Sequence, residues 1–187
     1  MVKKTAKIGM FIALAMIFSY IEAIIPINFG IPGIKLGIAN IVVVTSLYVL
    51  GFKETIGISL IRILLMGILF GNVFSLIYSF SGGILSLMGM IICKKFKLFS
   101  TVGVSVVGGV LHNLGQLIAA SIVLNNLSIA YYFSILLISG VVTGFVIGIV
   151  STKVIKILTS PKMKVFNYSK KIVIGYNYFF WIEVSDC

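Results

Sequence analysis

The sequence predicts an all-α integral membrane protein, a bundle of six transmembrane helices with both termini on the cytoplasmic side. Three observations predict it. Of the 187 residues, 60% are apolar and only 10% are charged, against roughly 45–50% and about 25% in a soluble domain. That leaves too few charges to coat a water-facing surface. Six apolar runs each approach the roughly 20 residues that cross about 30 Å of hydrocarbon. The basic residues punctuate those runs, and nearly all fall on one side. Disordered, collagen-like and disulfide-scaffold chains are thereby excluded.

The first run, Ile8–Ile27, follows Lys3, Lys4 and Lys7. With Ala13-Leu14-Ala15 it has the outline of a secretory signal. The apolar stretch continues to Pro26, however, so an uncleaved first helix is expected. Pro26, Gly30, Pro32 and Gly33 stop this helix and start the second, Ile34–Leu50, because proline lacks the amide and glycine tolerates the turn. Gly51-Phe52-Lys53 leads into Glu54–Phe70, Gly71-Asn72 into Val73–Cys93, and Lys94 to Ser100 into Thr101–Leu124. Asn125-Asn126-Leu127-Ser128 leads into Ala130–Leu158. Connections this short make successive helices antiparallel neighbours, so residues 1–158 form one domain. Residues 159–187 differ in kind. They are basic, then aromatic through Tyr176, Tyr178, Phe179, Phe180 and Trp181. Too short and polar to span, this tail is expected to be disordered or to lie on the anionic inner leaflet.

Charge placement orients the bundle. Lys3, Lys4, Lys7, Lys53, Lys94, Lys95, Lys97, Lys153, Lys156, Lys162, Lys164, Lys170 and Lys171 all fall on the side of the N-terminus if there are six crossings. The positive-inside rule makes that side the cytoplasm. The expected location is the cell membrane, in multi-pass form. A net charge of +11 would suggest nucleic acid in a soluble chain, but lysines at span ends belong to the membrane surface, and no nucleic-acid partner is expected. Cys93 and Cys187 are far apart and match no disulfide or metal spacing. No cofactor or metal is expected.

Lipid makes buried polar groups informative. An arginine at mid-helix costs about 2.5–3.5 kcal/mol on insertion scales. Arg62, near the middle of the third run, must therefore face the bundle interior, to meet either an internal partner or an anionic ligand. The fifth run holds His112-Asn113-Leu114-Gly115-Gln116. His112 and Gln116, four apart, share a helix face, and Asn113 lies beside them, a cluster that suits a ligand-facing stripe. Gly108 and Gly109, one turn earlier, let a helix or a ligand approach. His112 also admits proton relay, although no carboxylate lies at mid-membrane to relay with it. Near the outer surface, Glu22 and Lys35 flank a loop and form either an ion pair that fixes it or the gate of a pocket, with Asn40 about a turn further in. Ser79, Ser81, Gly82, Gly83 and Ser86 are expected to serve close helix packing. Gly9, Ala13, Ala15 and Ser19 form small-xxx-small repeats in the first span, suited to packing within the bundle or against a partner.

Equally informative is what the sequence lacks. It has no Gly-x-x-x-x-Gly-Lys-Ser/Thr loop to grip ATP, and its four acids, Glu22, Glu54, Glu183 and Asp186, are too scattered to hold Mg²⁺ and a diphosphate. The chain is not expected to be an enzyme by itself.

Four segments in order carry a resemblance: Pro32-Gly-Ile-Lys-Leu-Gly-Ile-Ala-Asn40, Arg62-Ile-Leu-Leu, Ser79-Phe-Ser-Gly-Gly-Ile-Leu-Ser86 and Gly103-Val-Ser-Val-Val-Gly-Gly-Val-Leu-His-Asn-Leu-Gly-Gln116. From about Lys3 to Leu158 the chain resembles the family labelled heptaprenyl diphosphate synthase component I, also called Gx transporters. That family is similar to the S components of energy-coupling factor transporters. The resemblance implies a six-helix bundle that binds a small solute near the outer face. It also implies docking through small residues of the first helix onto a transmembrane coupling subunit that carries two ATPases. Those S components favour alanines in the docking helix, whereas this chain has Gly9, Ala13, Ala15 and Ser19. The family label implies a different partner, a soluble prenyl synthase held at the membrane. A standalone proton-coupled carrier is a third reading. The favoured expectation is a solute-binding subunit whose pocket is lined by Lys35, Asn40, Arg62, His112, Asn113 and Gln116. Lys35 and Arg62, as the cations away from the inner surface, favour an anionic substrate.

Overall fold

A computed structural model describes residues 2–24, 37–126 and 131–160. The described residues form six α-helices and no strand: α1 Val2–Ile24, α2 Ile38–Val49, α3 Phe52–Phe70, α4 Val73–Lys95, α5 Thr101–Val123 and α6 Phe133–Thr159. Lys35, the two loop prolines and the 161–187 part of the expected tail lie outside the described residues. Of the six helices, α1, α4, α5 and α6 are long and apolar enough to cross a membrane. The other two are less so for legible reasons. Within its 19 residues α3 carries Lys53, Glu54 and Arg62, and α2 is a 12-residue apolar helix whose start is set by Gly37. α1 begins at Val2, ahead of the apolar run expected from Ile8, because lysine is a good helix former even where it is a poor membrane residue.

Consecutive helices touch, and two further contacts, α2 with α6 and α1 with α3, close a ring in the order α1–α2–α6–α5–α4–α3. α5 packs closest, against α4 and α6. On α6, Gly140, Gly144 and Gly148 form one stripe at four-residue spacing. A Cβ at Gly144 would sit 2.7 Å from Val106 Cα, and one at Gly148 2.7 Å from Val102 Cα. The opposite face of α5 meets α4 in the same way: a Cβ at Gly115 would sit 2.8 Å from Gly82 Cα. Lipid supplies no hydrophobic drive between helices, so such backbone approach is where association gains its van der Waals energy.

The end of the bundle that carries the lysines is tied by polar contacts. Lys4 pairs with Glu54 at 2.5 Å, and Ser46 Oγ donates to Thr55 Oγ1 at 3.1 Å between α2 and α3. Lys94 donates from α4 to the Leu47 carbonyl at 2.5 Å and lies 4.9 Å above the Tyr48 ring. This cation thus caps the carbonyl end of α2, where the helix dipole is negative. Lys94→Met is expected to lower stability by about 1 kcal/mol, read as an earlier unfolding midpoint in detergent. An apolar cluster, Phe11 and Ala15 of α1 with Val42 of α2 and Ile58 of α3, seats α1 across its two neighbours.

A polar cavity inside the helix ring

α3 places Arg62 facing inward, with only 9% of it exposed. The sequence makes this orientation unavoidable, since the other side of the helix is Ile61, Leu64, Leu65, Ile68 and Leu69, all exposed and apolar. α5 presents His112, Asn113 and Gln116 to the same interior, and α2 adds Asn40. These five residues, from three helices, line one cavity of about 180 Å³. All six helices contribute to its wall: Ser19 and Glu22 come from α1, Ser75, Ser79 and Ser86 from α4, and Thr143 and Ile147 from α6. The cavity runs from exposed Phe70 and Gly71, at the end opposite the lysines, down to Met90 and Ser105. The 15 residue steps from Ser75 to Met90 on α4 correspond to about 22 Å of helix.

Near the end of α1 the backbone is committed to a carboxylate. Gly37, at φ 69°, precedes α2, and its N–H donates to Glu22 Oε1 at 2.6 Å. A side chain at 37 would be strained at that φ and would press on Ile147 and Asn40. The expected Glu22–Lys35 pair therefore meets the structure on one side only. Glu22 holds the start of α2, while Lys35 lies outside the described residues.

The charges on the wall are Arg62 and Glu22. Glu22 acts on the guanidinium through space, but the ion pair among the described residues is Lys4–Glu54. Arg62 thus has no carboxylate in contact among the described residues. Asn113 is partly engaged, its Nδ2 donating to the Leu136 carbonyl of α6 at 2.8 Å, which leaves its oxygen for other partners. Asn113→Leu is expected to weaken the α5–α6 contact by about 1 kcal/mol, measured by thermal unfolding.

The sequence reading missed part of this wall. Thr143 and Ser105 line it, and the Ser105 hydroxyl is buried with no hydrogen-bond partner. Ser79 and Ser86, expected to serve packing, line the cavity as well, while Gly82 between them does pack on α5. The four small residues of α1 divide. Ser19 lines the cavity, Ala15 is fully buried against α2 and α3, and Gly9 and Ala13 are exposed. Gly109 is set backbone to backbone against Gly140 of α6, so there the close approach is a helix. Among the described residues no three His, Cys, Asp or Glu side chains are grouped to hold a metal.

Comparison with known proteins gives one family. The model for heptaprenyl diphosphate synthase component I matches residues 11–154. No curated protein and no solved structure matches the chain. The matched segment runs from α1 into α6 and contains every cavity residue named above, and the chain belongs to the heptaprenyl diphosphate synthase component I family.

Proposed function

We propose that this chain is a membrane-embedded, small-solute-binding subunit of an uptake transporter, similar to the S components of energy-coupling factor systems. In this reading all six helices cross the cell membrane, the lysine end and both termini are cytoplasmic, and the cavity opens toward the outside. The observation that carries it is the convergence of Asn40, Arg62, His112, Asn113 and Gln116 on one cavity. Lipid tolerates such groups only where they face protein or water, and here all five line one hollow. The chain itself is not catalytic; energy comes from a transmembrane coupling subunit and its ATPases, with exposed Gly9 and Ala13 suited to the docking face.

The family name favours a second reading, a non-catalytic membrane subunit that assists a soluble prenyl diphosphate synthase. Cavity size bears on it. An engineered cavity of about 150 Å³ holds one benzene, so 180 Å³ suits a solute of on the order of ten heavy atoms. A heptaprenyl chain of about 35 carbons does not fit by the same measure. The second reading would therefore place the prenyl substrate wholly on the partner. Purification from native membranes in mild detergent separates the two. The transporter reading expects a coupling protein and ATPases to come with the chain. A co-purifying prenyl synthase whose activity rises on adding the chain would replace it.

A further inference from the structure

The solute's charge pattern follows from the cavity wall. Among the described residues its two charged side chains are of opposite sign and come from different helices, Glu22 from α1 and Arg62 from α3. They influence each other through space without forming a salt bridge. Arg62 is nine-tenths buried and takes part in none of the side-chain hydrogen bonds among the described residues. Glu22 gives one oxygen to the Gly37 amide, and a carboxylate has about four acceptor sites, so it retains capacity for a donor. A buried charge without a partner is costly, which applies to Arg62 among the described residues, and a guest that carries both signs would stabilise it while also meeting the half-buried Glu22.

Resting on the solute-binding reading, we infer that the cavity binds a zwitterion of the small α-amino acid class, its carboxylate on Arg62 and its ammonium on Glu22. The lining also holds uncharged hydrogen-bonding groups, Asn40, Ser79 and Gln116, together with apolar Val44 and Ile147, and its deep end has the unpartnered Ser105 hydroxyl. Such a lining suits a short, weakly polar side chain. Among the described residues Glu22 offsets Arg62 on the wall, and on that balance a zwitterion is favoured over the net anion expected from Lys35 and Arg62. A diphosphate is disfavoured on the same ground.

The test uses the full-length protein in detergent and three probe pools at equal concentration. One holds α-amino acids with uncharged side chains, one the matching carboxylic acids without the amino group, and one the matching amines without the carboxylate. The zwitterion pool is expected to raise the unfolding midpoint, with the acids and amines giving little or no rise. Glu22→Gln and Arg62→Gln are each expected to weaken the zwitterion response tenfold or more, and Glu22→Gln to shift selectivity toward the acids. An equal rise with the acids, or none with the zwitterions, overturns the inference. If a small solute of another charge type is then extracted from the purified protein, the solute-binding reading stands without this one. If no pool responds and no solute is extracted, both fall.

Discussion

Arg62→Met is expected to yield a protein that unfolds at a higher temperature and no longer binds its solute. The two effects share one cause. A guanidinium at mid-bundle costs about 2.5–3.5 kcal/mol on insertion scales, and among the described residues no contacting carboxylate offsets that cost. Methionine removes the charge, keeps most of the volume and adapts to irregular space, so the solute-free protein gains stability. Binding moves the other way. A hydrogen bond to a charged group contributes about 1.5–3 kcal/mol, which corresponds to roughly ten- to more than hundredfold in affinity. A residue kept only for packing would show the first effect reversed and the second absent. Unfolding midpoints with and without solute check both in one experiment.

Gly144→Leu is expected to unseat α6. The Cβ alone would lie 2.7 Å from Val106 Cα and 2.9 Å from the Ser105 carbonyl, and those are backbone atoms that cannot rotate away. Relief requires the two helices to part, which removes the packing that holds them, and the expected loss is about 3 kcal/mol or more. The cavity is affected too, since Thr143 and Ile147 on α6 and Ser105 on α5 line it. Gly57→Leu is the matched control, because a Cβ there meets nothing within 4 Å and little stability should change. Retention of the folded, monodisperse peak after mild heating distinguishes the two variants.

Much of this was legible in the sequence because lipid sharpens the rules. A charge or amide in an apolar run has few places to go, so Arg62, His112, Asn113, Gln116 and Asn40 could be assigned to one interior before any coordinates. Helix number and order followed from apolar runs and short connections. Serine gave no such signal. Its hydroxyl can be satisfied by its own helix, as Thr143 and Thr152 are here, so Ser79 and Ser86 looked like packing residues and Ser105 attracted no notice. Ring closure through α2–α6 and α1–α3 was not legible either, since it depends on which faces meet across long sequence distances. Gly140, Gly144 and Gly148 repeat at the small-xxx-small spacing that brings helices together, but that stripe seats α6 on α5 and gives no clue to the α2–α6 closure. Ser19 shows the limit of that rule, for it keeps the spacing of a docking stripe yet faces the cavity.

The most direct measurement is mass spectrometry of the small molecules released from wild-type protein and from Arg62→Met protein, purified side by side. The hollow at the centre of the ring predicts about one equivalent of a single small solute from the first and none from the second. Equal amounts from both folded proteins, or nothing from either, would mean that these buried polar side chains gather around no guest.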